Sequence, residues 1–250
     1  MARRLGYDLA GREGTRRRMT MNQPGDGLAA KSDDAPTRPV SLLPPYRVVH
    51  DYLDAGPVEA LLQLALSREA DFVPTQLGSR DNAKFKPAFR TSLFLMPREA
   101  LEGVFDARPR ALTPMLVADT RLTAFEISGV ELELVAHGDG AFYKRHIDTE
   151  TGGDAKSQRL LSGVYYFNHR PKAFSGGALR LYAIGDNERS IDIEPEHNSL
   201  LVFPSWAPHE VRPVICPSGR FIDSRFAVNC WMRRRTPPES AATPPGENPT

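Results

Sequence analysis

The chain has 250 residues, 40 % of them hydrophobic, and its 32 Lys and Arg against 31 Asp and Glu leave a net charge of +1. That is enough apolar material for one sizeable core, and so balanced a charge argues against nucleic acid as a partner. No apolar run approaches the roughly 18 residues of a membrane span, and two cysteines, Cys216 and Cys230, make no disulfide framework and fit a reducing, cytoplasmic compartment.

In chain order, residues 1–40 are rich in Gly, Arg, Asp and Pro and lack periodicity, which predicts a disordered leader. Its arginines come without an apolar stretch, so it is not read as a secretory signal, and Met19 or Met21 is an alternative start. The folded part is expected over 41–236, with helical support over 41–120 and a strand-built core over 121–236. Pro57 opens a run with Val58, Leu61, Leu62, Ala65 and Leu66 at helical spacing. Further helices are predicted over 98–106 and 109–118. Between the first two lies a polar stretch, 74–90, punctuated by Gly and Pro and read as a loop or irregular hairpin. Eight short strands follow, at 130–137, 141–147, 159–168, 177–184, 189–194, 199–204, 209–215 and 224–233, separated by turn residues such as Gly138-Asp139-Gly140 and Gly185-Asp186-Asn187. Residues 237–250 read as a second disordered tail. Eight strands after helices predict a mainly β protein, a double-stranded β-helix (jelly roll) braced by the N-terminal helices.

Several residues carry chemistry. His146 and Asp148 stand two apart at a strand end, so both side chains point to one face. A bare His-x-Asp is weak: with six His and 31 acidic residues, chance alone gives on the order of one such pair. His137-Gly-Asp139 is a second match, but it abuts a turn that Asp139 is expected to shape. Candidates for a third ligand are His169, His197 and His209. The second and seventh strands of a jelly roll pair in one sheet, which brings His209 opposite His146 and Asp148. Two histidines and a carboxylate make the facial triad of a non-haem iron(II) site.

The eighth strand puts Arg225, Ala227, Asn229 and Trp231 on one face and Phe226, Val228, Cys230 and Met232 on the other. A charge among apolar neighbours is costly unless an anion meets it, so Arg225 is the candidate for gripping the distal carboxylate of 2-oxoglutarate, with Arg220 as runner-up. Tyr166 shares a face with Ser162 and Val164 and can donate to the same carboxylate.

These residues, with Gly138-Asp-Gly140, Tyr143-Lys-Arg-His146-Ile-Asp148, Arg159, Tyr165-Tyr166-Phe-Asn168, Gly176-Gly177-Ala-Leu179, Pro208-His209-Glu-Val211-Arg-Pro213 and Arg225-Phe-Ala-Val-Asn-Cys-Trp231, resemble the 2-oxoglutarate/Fe(II) dioxygenases of the prolyl 4-hydroxylase superfamily. The likeness runs over about 134 to 233 and points to the hypoxia-factor prolyl hydroxylases and their bacterial relatives. It implies Fe(II) on His146, Asp148 and His209, with no catalytic residue beyond the metal centre. It implies 2-oxoglutarate on Arg225 and Tyr166 between Leu179 and Val211, O2 as second cosubstrate, and ascorbate as an accompanying reductant. Tyr143, Arg159 and Trp231 would lie near the substrate. The implied reaction is hydroxylation of an unactivated C–H, in a prolyl residue of a protein or peptide, or alternatively in a small molecule or free amino acid; a metal-binding jelly roll without activity is the third reading. That branch carries a tyrosine where this chain has Ala136. Loop 74–90, with Arg80, Lys84, Lys86 and Arg90, is placed to clamp an extended peptide.

Overall fold

In the computed structural model the described residues are 42–76, 85–105, 107–150 and 157–235. The expected leader and tail, and residues 77–84 of the polar loop, lie outside them.

The N-terminal half contributes β1 (Arg47–Val49), α1 (Ala55–Ser67), β2 (Val73–Pro74), β3 (Leu93–Leu95), α2 (Arg98–Phe105) and α3 (Ala107–Asp119). The remainder is strands: β4 (Gly129–His137), β5 (Tyr143–His146), β6 (Ser157–Phe167), β7 (Ser175–Gly176), β8 (Leu179–Tyr182), β9 (Ser190–Ile193), β10 (Ser199–Pro204), β11 (His209–Val211), β12 (Val214–Ile215) and β13 (Arg225–Arg235). Two antiparallel sheets carry the jelly roll. One has the order β1-β10-β6-β13-β4-β3-β2 and the other β5-β11-β8-β9, with β12 and β7 as a separate ribbon. The eight expected strands divide into the sets β10-β6-β13-β4 and β5-β11-β8-β9, and the expected pairing of the second and seventh strands is β5 with β11. The N-terminal segment adds β1 at one edge of the larger sheet and β2 and β3 at the other, so neither edge of that set stands bare.

The strand expected over 209–215 is broken. Pro213 has no N–H to give a ladder, and β12 leaves the sheet to pair with β7. The helices match in place and differ by two residues or fewer at their ends, where α1 starts two residues before Pro57. Helix termini are weakly determined by pattern.

Packing follows the alternation. Phe226, Val228, Cys230 and Met232 of β13 join Leu161, Tyr165 and Phe167 of β6 and the buried faces of α1 to α3 in one apolar cluster. Ala227, Val164 and Tyr166 point the other way and join Leu179, Leu181, Leu201 and Phe203 between the two sheets. The large sheet is therefore covered on both faces, which is why its central strands read as nearly continuous apolar runs. The helices bury that sheet's outer face and leave the mouth between the sheets to the functional residues.

Candidate active site

β5 ends at His146 and β11 starts at His209, and the two are paired across the ladder. Asp148 follows β5 by two residues, and its backbone N–H donates to Ser205 O at 2.9 Å, which pins the turn. His146 Nε2 lies 3.6 Å from Asp148 Oδ1 and His209 Nε2 lies 3.6 Å from Asp148 Oδ2. One ligand atom from each of the three falls within 4.8 Å of the others. The sequence-predicted triad is thus brought together. His169 and His197 are not part of it; His197 Nδ1 accepts from the Asn168 backbone at 3.3 Å.

The tautomers are set by backbone carbonyls. His146 Nδ1 is 2.8 Å from Lys144 O and His209 Nδ1 is 2.9 Å from Ala207 O. A carbonyl only accepts, so each Nδ1 carries a hydrogen and each Nε2 is the nitrogen turned toward the cluster. Burial pushes His209 down to about 4, helped by the neighbouring His146. Burial alone would raise Asp148, but His209, His146 and the Ser162 hydroxyl outweigh it and hold the carboxyl well below its ordinary range. Ser162 Oγ donates to Asp148 Oδ2 at 2.7 Å and lies 2.9 Å from Ser205 Oγ. A divalent metal takes an ionised carboxylate and unprotonated Nε2 atoms, so its binding here would displace any hydrogen held on them. Tyr143 stacks on His146 at 3.5 Å between centroids, and Phe203 meets His209 edge-on at 4.7 Å.

The second half of the site lies deeper. Arg225 is 1 % exposed, at the start of β13. Its guanidinium carbon sits 4.7 Å from the centre of the Tyr166 ring. Among the described residues, Arg225 Nε and Nη2 and the Tyr166 hydroxyl are buried without a partner of hydrogen-bond geometry, beyond the electrostatic contact of these two side chains with each other. Burial pulls the arginine down and pushes Tyr166 up to about 12. A buried cation with unanswered donors costs several kcal/mol, and an anion accepting from all of them removes that cost. Leu179 and Val211 pair across β8 and β11. Leu179 packs in the same cluster as Tyr166 and Ala227, so the donors are walled by apolar side chains. These orphaned donors fit the distal carboxylate of an oxo-acid, and the histidine–carboxylate cluster fits a divalent iron. Arg220, the runner-up, is exposed and pairs with Asp223 at 3.1 Å.

Of the substrate-proximal candidates, Trp231 stands beside Ser162 in the ladder. The Arg159 guanidinium lies 4.2 Å from the centre of the Trp231 ring. Arg159 Nε also donates to Glu131 Oε2 at 2.9 Å. Arg90, one of the cations assigned to the clamp, is 6 % exposed, bonds Glu133 at 2.8 Å and lies 4.8 Å from the centre of the Tyr143 ring. It is part of the wall behind Tyr143 rather than a cation free to clamp. Asp139 does shape its turn region: its Oδ1 accepts from the Cys216 backbone at 2.7 Å.

Sequence reasoning missed two groups. Ser162 was placed on the Tyr166 face but not against Asp148. His137 was set aside as a spare His-x-Asp match, yet it pairs opposite Arg225 in the ladder and is 3 % exposed. Ala136, where the related branch has a tyrosine, packs in the outer cluster toward the helices. By alternation, His137 is therefore the residue that the end of β4 turns toward Arg225.

Residues 132–233 match the family described as the 2OG-Fe(II) oxygenase superfamily. An uncharacterised PKHD-type hydroxylase of Synechocystis is 32 % identical over 197 residues, which are 76 % of this chain and 63 % of that protein, so the chain spans less than two thirds of its length. A Pseudomonas putida prolyl-4-hydroxylase crystal structure superposes with a TM-score of 0.54 at 25 % identity, covering 76 % of this chain and 92 % of that one. A prolyl hydroxylase from Trichoplax adhaerens, in complex with a hypoxia inducible factor peptide fragment, shares the fold with a TM-score of 0.53 at 22 % identity, covering 76 % and 83 %.

Proposed function

We propose, with the oxygenase-superfamily match over 132–233 as premise, that this chain is an Fe(II)- and 2-oxoglutarate-dependent dioxygenase that hydroxylates a prolyl residue in a protein or peptide. One observation carries the oxygenase part: a His-Asp-His cluster and a buried arginine with unanswered donors share the space between the same two sheets. A structural metal site would have no use for the second feature.

His146, Asp148 and His209 would hold the iron, leaving positions open on one face. Bound there, iron with 2-oxoglutarate and O2 supplies the oxidation that a side chain cannot. The chain's own residues bind and orient. Arg225 and Tyr166 take the distal carboxylate and fix the cosubstrate's direction. Ser162 and the Ser205 carbonyl hold the Asp148 segment in place. Tyr143 and Phe203 pack on the two histidine rings and hold their orientation. Ascorbate would serve to keep the iron reduced. Both cysteines are buried and unbridged, which supports a reducing, cytoplasmic setting.

The prolyl reading draws support from the likeness to the Pseudomonas putida prolyl-4-hydroxylase and from Trp231, which pairs with Ser162 in the ladder and carries Arg159 over its ring. A small molecule or free amino acid is the second reading. The pairing of Arg159 with Glu131 favours it, because that cation is then spent on the protein rather than on a peptide. Succinate release from 2-oxoglutarate across a panel of proline peptides and small molecules, with mass spectrometry for an added oxygen, decides between them. Faster turnover of free proline or another small molecule than of any peptide overturns the prolyl-peptide reading.

A further inference from the structure

We propose that residues 236–250 supply a substrate of the active site: the chain hydroxylates Pro244 or Pro245 of its own sequence, in cis. This rests on the prolyl-hydroxylase reading above and names a segment that the site takes.

The assignment starts from where β13 leaves the fold. Residues two apart on a strand share a face, and along the inner face of β13 exposure rises steadily. Arg225 and Ala227 are buried, Asn229, Trp231 and Arg233 are half-buried, and Arg235 is exposed. Trp231 is the ladder partner of Ser162, and the Ser162 hydroxyl donates to Asp148 Oδ2 at 2.7 Å, so Trp231 marks the level of the metal-site carboxylate. Two residues on, Arg233 Nη2 donates to Glu150 Oε2 at 2.7 Å, and Glu150 stands two residues past Asp148. β13 thus runs from the pocket floor at Arg225, past the metal site, to the entrance, and the chain leaves the strand there.

Beyond Arg235, outside the described residues, the sequence continues Thr-Pro-Pro-Glu-Ser-Ala-Ala-Thr-Pro-Pro-Gly-Glu-Asn-Pro-Thr, with prolines at 237, 238, 244, 245 and 249. Reach decides among them. From Arg235 back to the level of Trp231 is four strand residues, roughly 13 Å. Pro237 and Pro238 stand two and three residues past Arg235 and extend at most roughly 11 Å, too little to turn and come back. Pro244 and Pro245 stand nine and ten residues past it and extend roughly 30 Å, enough to reverse and return to Trp231. A linker longer than the span lowers the effective concentration of its end, which ranks Pro249 behind them.

Charge points the same way. Residues 236–250 carry Glu239 and Glu247 and no Lys or Arg. On β5, Lys144 and Arg145 immediately precede His146. Among the described residues neither meets a carboxylate; Arg145 donates to Asn187 Oδ1 at 2.9 Å and lies 4.3 Å from the centre of the Tyr182 ring. Two cations next to a metal-site histidine are therefore open to an acidic segment, and opposite charge speeds its arrival. Tethering sets the effective concentration of such a proline on the order of millimolar, above that of a dilute external peptide. The transformation balances: one atom of O2 enters a ring C–H as a hydroxyl, the other enters succinate, and 2-oxoglutarate loses CO2.

The test uses the full chain, purified from anaerobically grown cells so that no oxygen has entered, loaded with Fe(II), 2-oxoglutarate and ascorbate, and exposed to heavy-isotope O2. Peptide mass spectrometry is expected to place one heavy oxygen on Pro244 or Pro245. The rate constant should hold within about twofold over a roughly hundredfold dilution of the protein, because a tethered step does not depend on concentration. Replacing both residues, Pro244→Ala with Pro245→Ala, should remove that oxygen and slow succinate release in the absence of added peptide at least about fivefold, while an added proline peptide is still hydroxylated. A second reading needs no turnover. With Mn(II) and 2-oxoglutarate under nitrogen, the amide signal of Gly246 should broaden relative to the Zn(II)-loaded chain and stay broadened on dilution. Oxygen on Pro237 or Pro238, on Pro249 alone, or on Pro24, Pro36 or Pro39 overturns the assignment, as does a rate that falls with dilution or an unbroadened Gly246 signal. An unmodified Pro244 and Pro245 in a preparation that hydroxylates an added proline peptide overturns it while leaving the prolyl reading intact. Release of succinate with no hydroxylation of any proline, tethered or added, overturns both.

Discussion

Gly177 lies so close to Arg225 that a Cβ on it would stand 2.7 Å from Arg225 Cδ, and the glycine itself has a φ of +70°. The arginine can extend along the pocket floor only because that position lacks a side chain. Gly177→Ala therefore meets both backbone strain and a steric clash, of order 1–3 kcal/mol. The expected result is a lower melting temperature together with weaker 2-oxoglutarate binding, whereas Gly219→Ala, whose Cβ would meet nothing within 4 Å, leaves 2-oxoglutarate binding unchanged. Unaltered cosubstrate affinity in Gly177→Ala would show that the arginine is not held by this contact.

His209→Ala removes one of three ligand atoms that lie within 4.8 Å of one another. Bound metal per chain, measured by elemental analysis after Fe(II) or Mn(II) loading, should fall at least tenfold. His197→Ala and His169→Ala should keep full metal content, since neither side chain reaches the cluster. Metal loss in either of those variants, with retention in His209→Ala, would relocate the site.

Arg225→Lys replaces a planar fork by a point charge with fewer donors. The 2-oxoglutarate dissociation constant should rise about tenfold or more, roughly 1.4 kcal/mol or above. Arg220→Lys should leave it unchanged, because Arg220 is turned toward Asp223 on the surface. The opposite ranking would make Arg220 the anchor.

The metal-free protein should lose stability as the pH falls below about 6.5. His137 is buried and neutral in the folded chain, its pKa well below 6.5, while the unfolded chain takes up a proton near that value. The unfolded state then binds more protons, so the free energy of unfolding rises with pH in this window and falls on acidification. Urea unfolding between pH 7 and pH 5 measures the slope. His137→Phe should make it shallower, and an identical slope would mean that His137 is protonated in the folded state.

The order of the chemistry-bearing residues was legible in the chain, because period-two alternation dictates which side chains share a face. His146 with Asp148, Arg225 with Ala227, and Tyr166 with Ser162 and Val164 all lie on the faces that spacing predicts, and the β5–β11 pairing that brings His209 to them follows from jelly-roll topology. Three things required the tertiary structure. The break at Pro213 depends on β7 lying nearby to receive β12. The fate of Arg90 depends on Glu133 and Tyr143, which lie more than forty residues away. The closeness of His137 to Arg225 depends on the register of two strands whose residues stand 88 apart. Local sequence sets periodicity and therefore faces. Which donor is answered and which is left open is settled only when distant strands are laid side by side, since hydrogen bonds and burial are properties of neighbours in space.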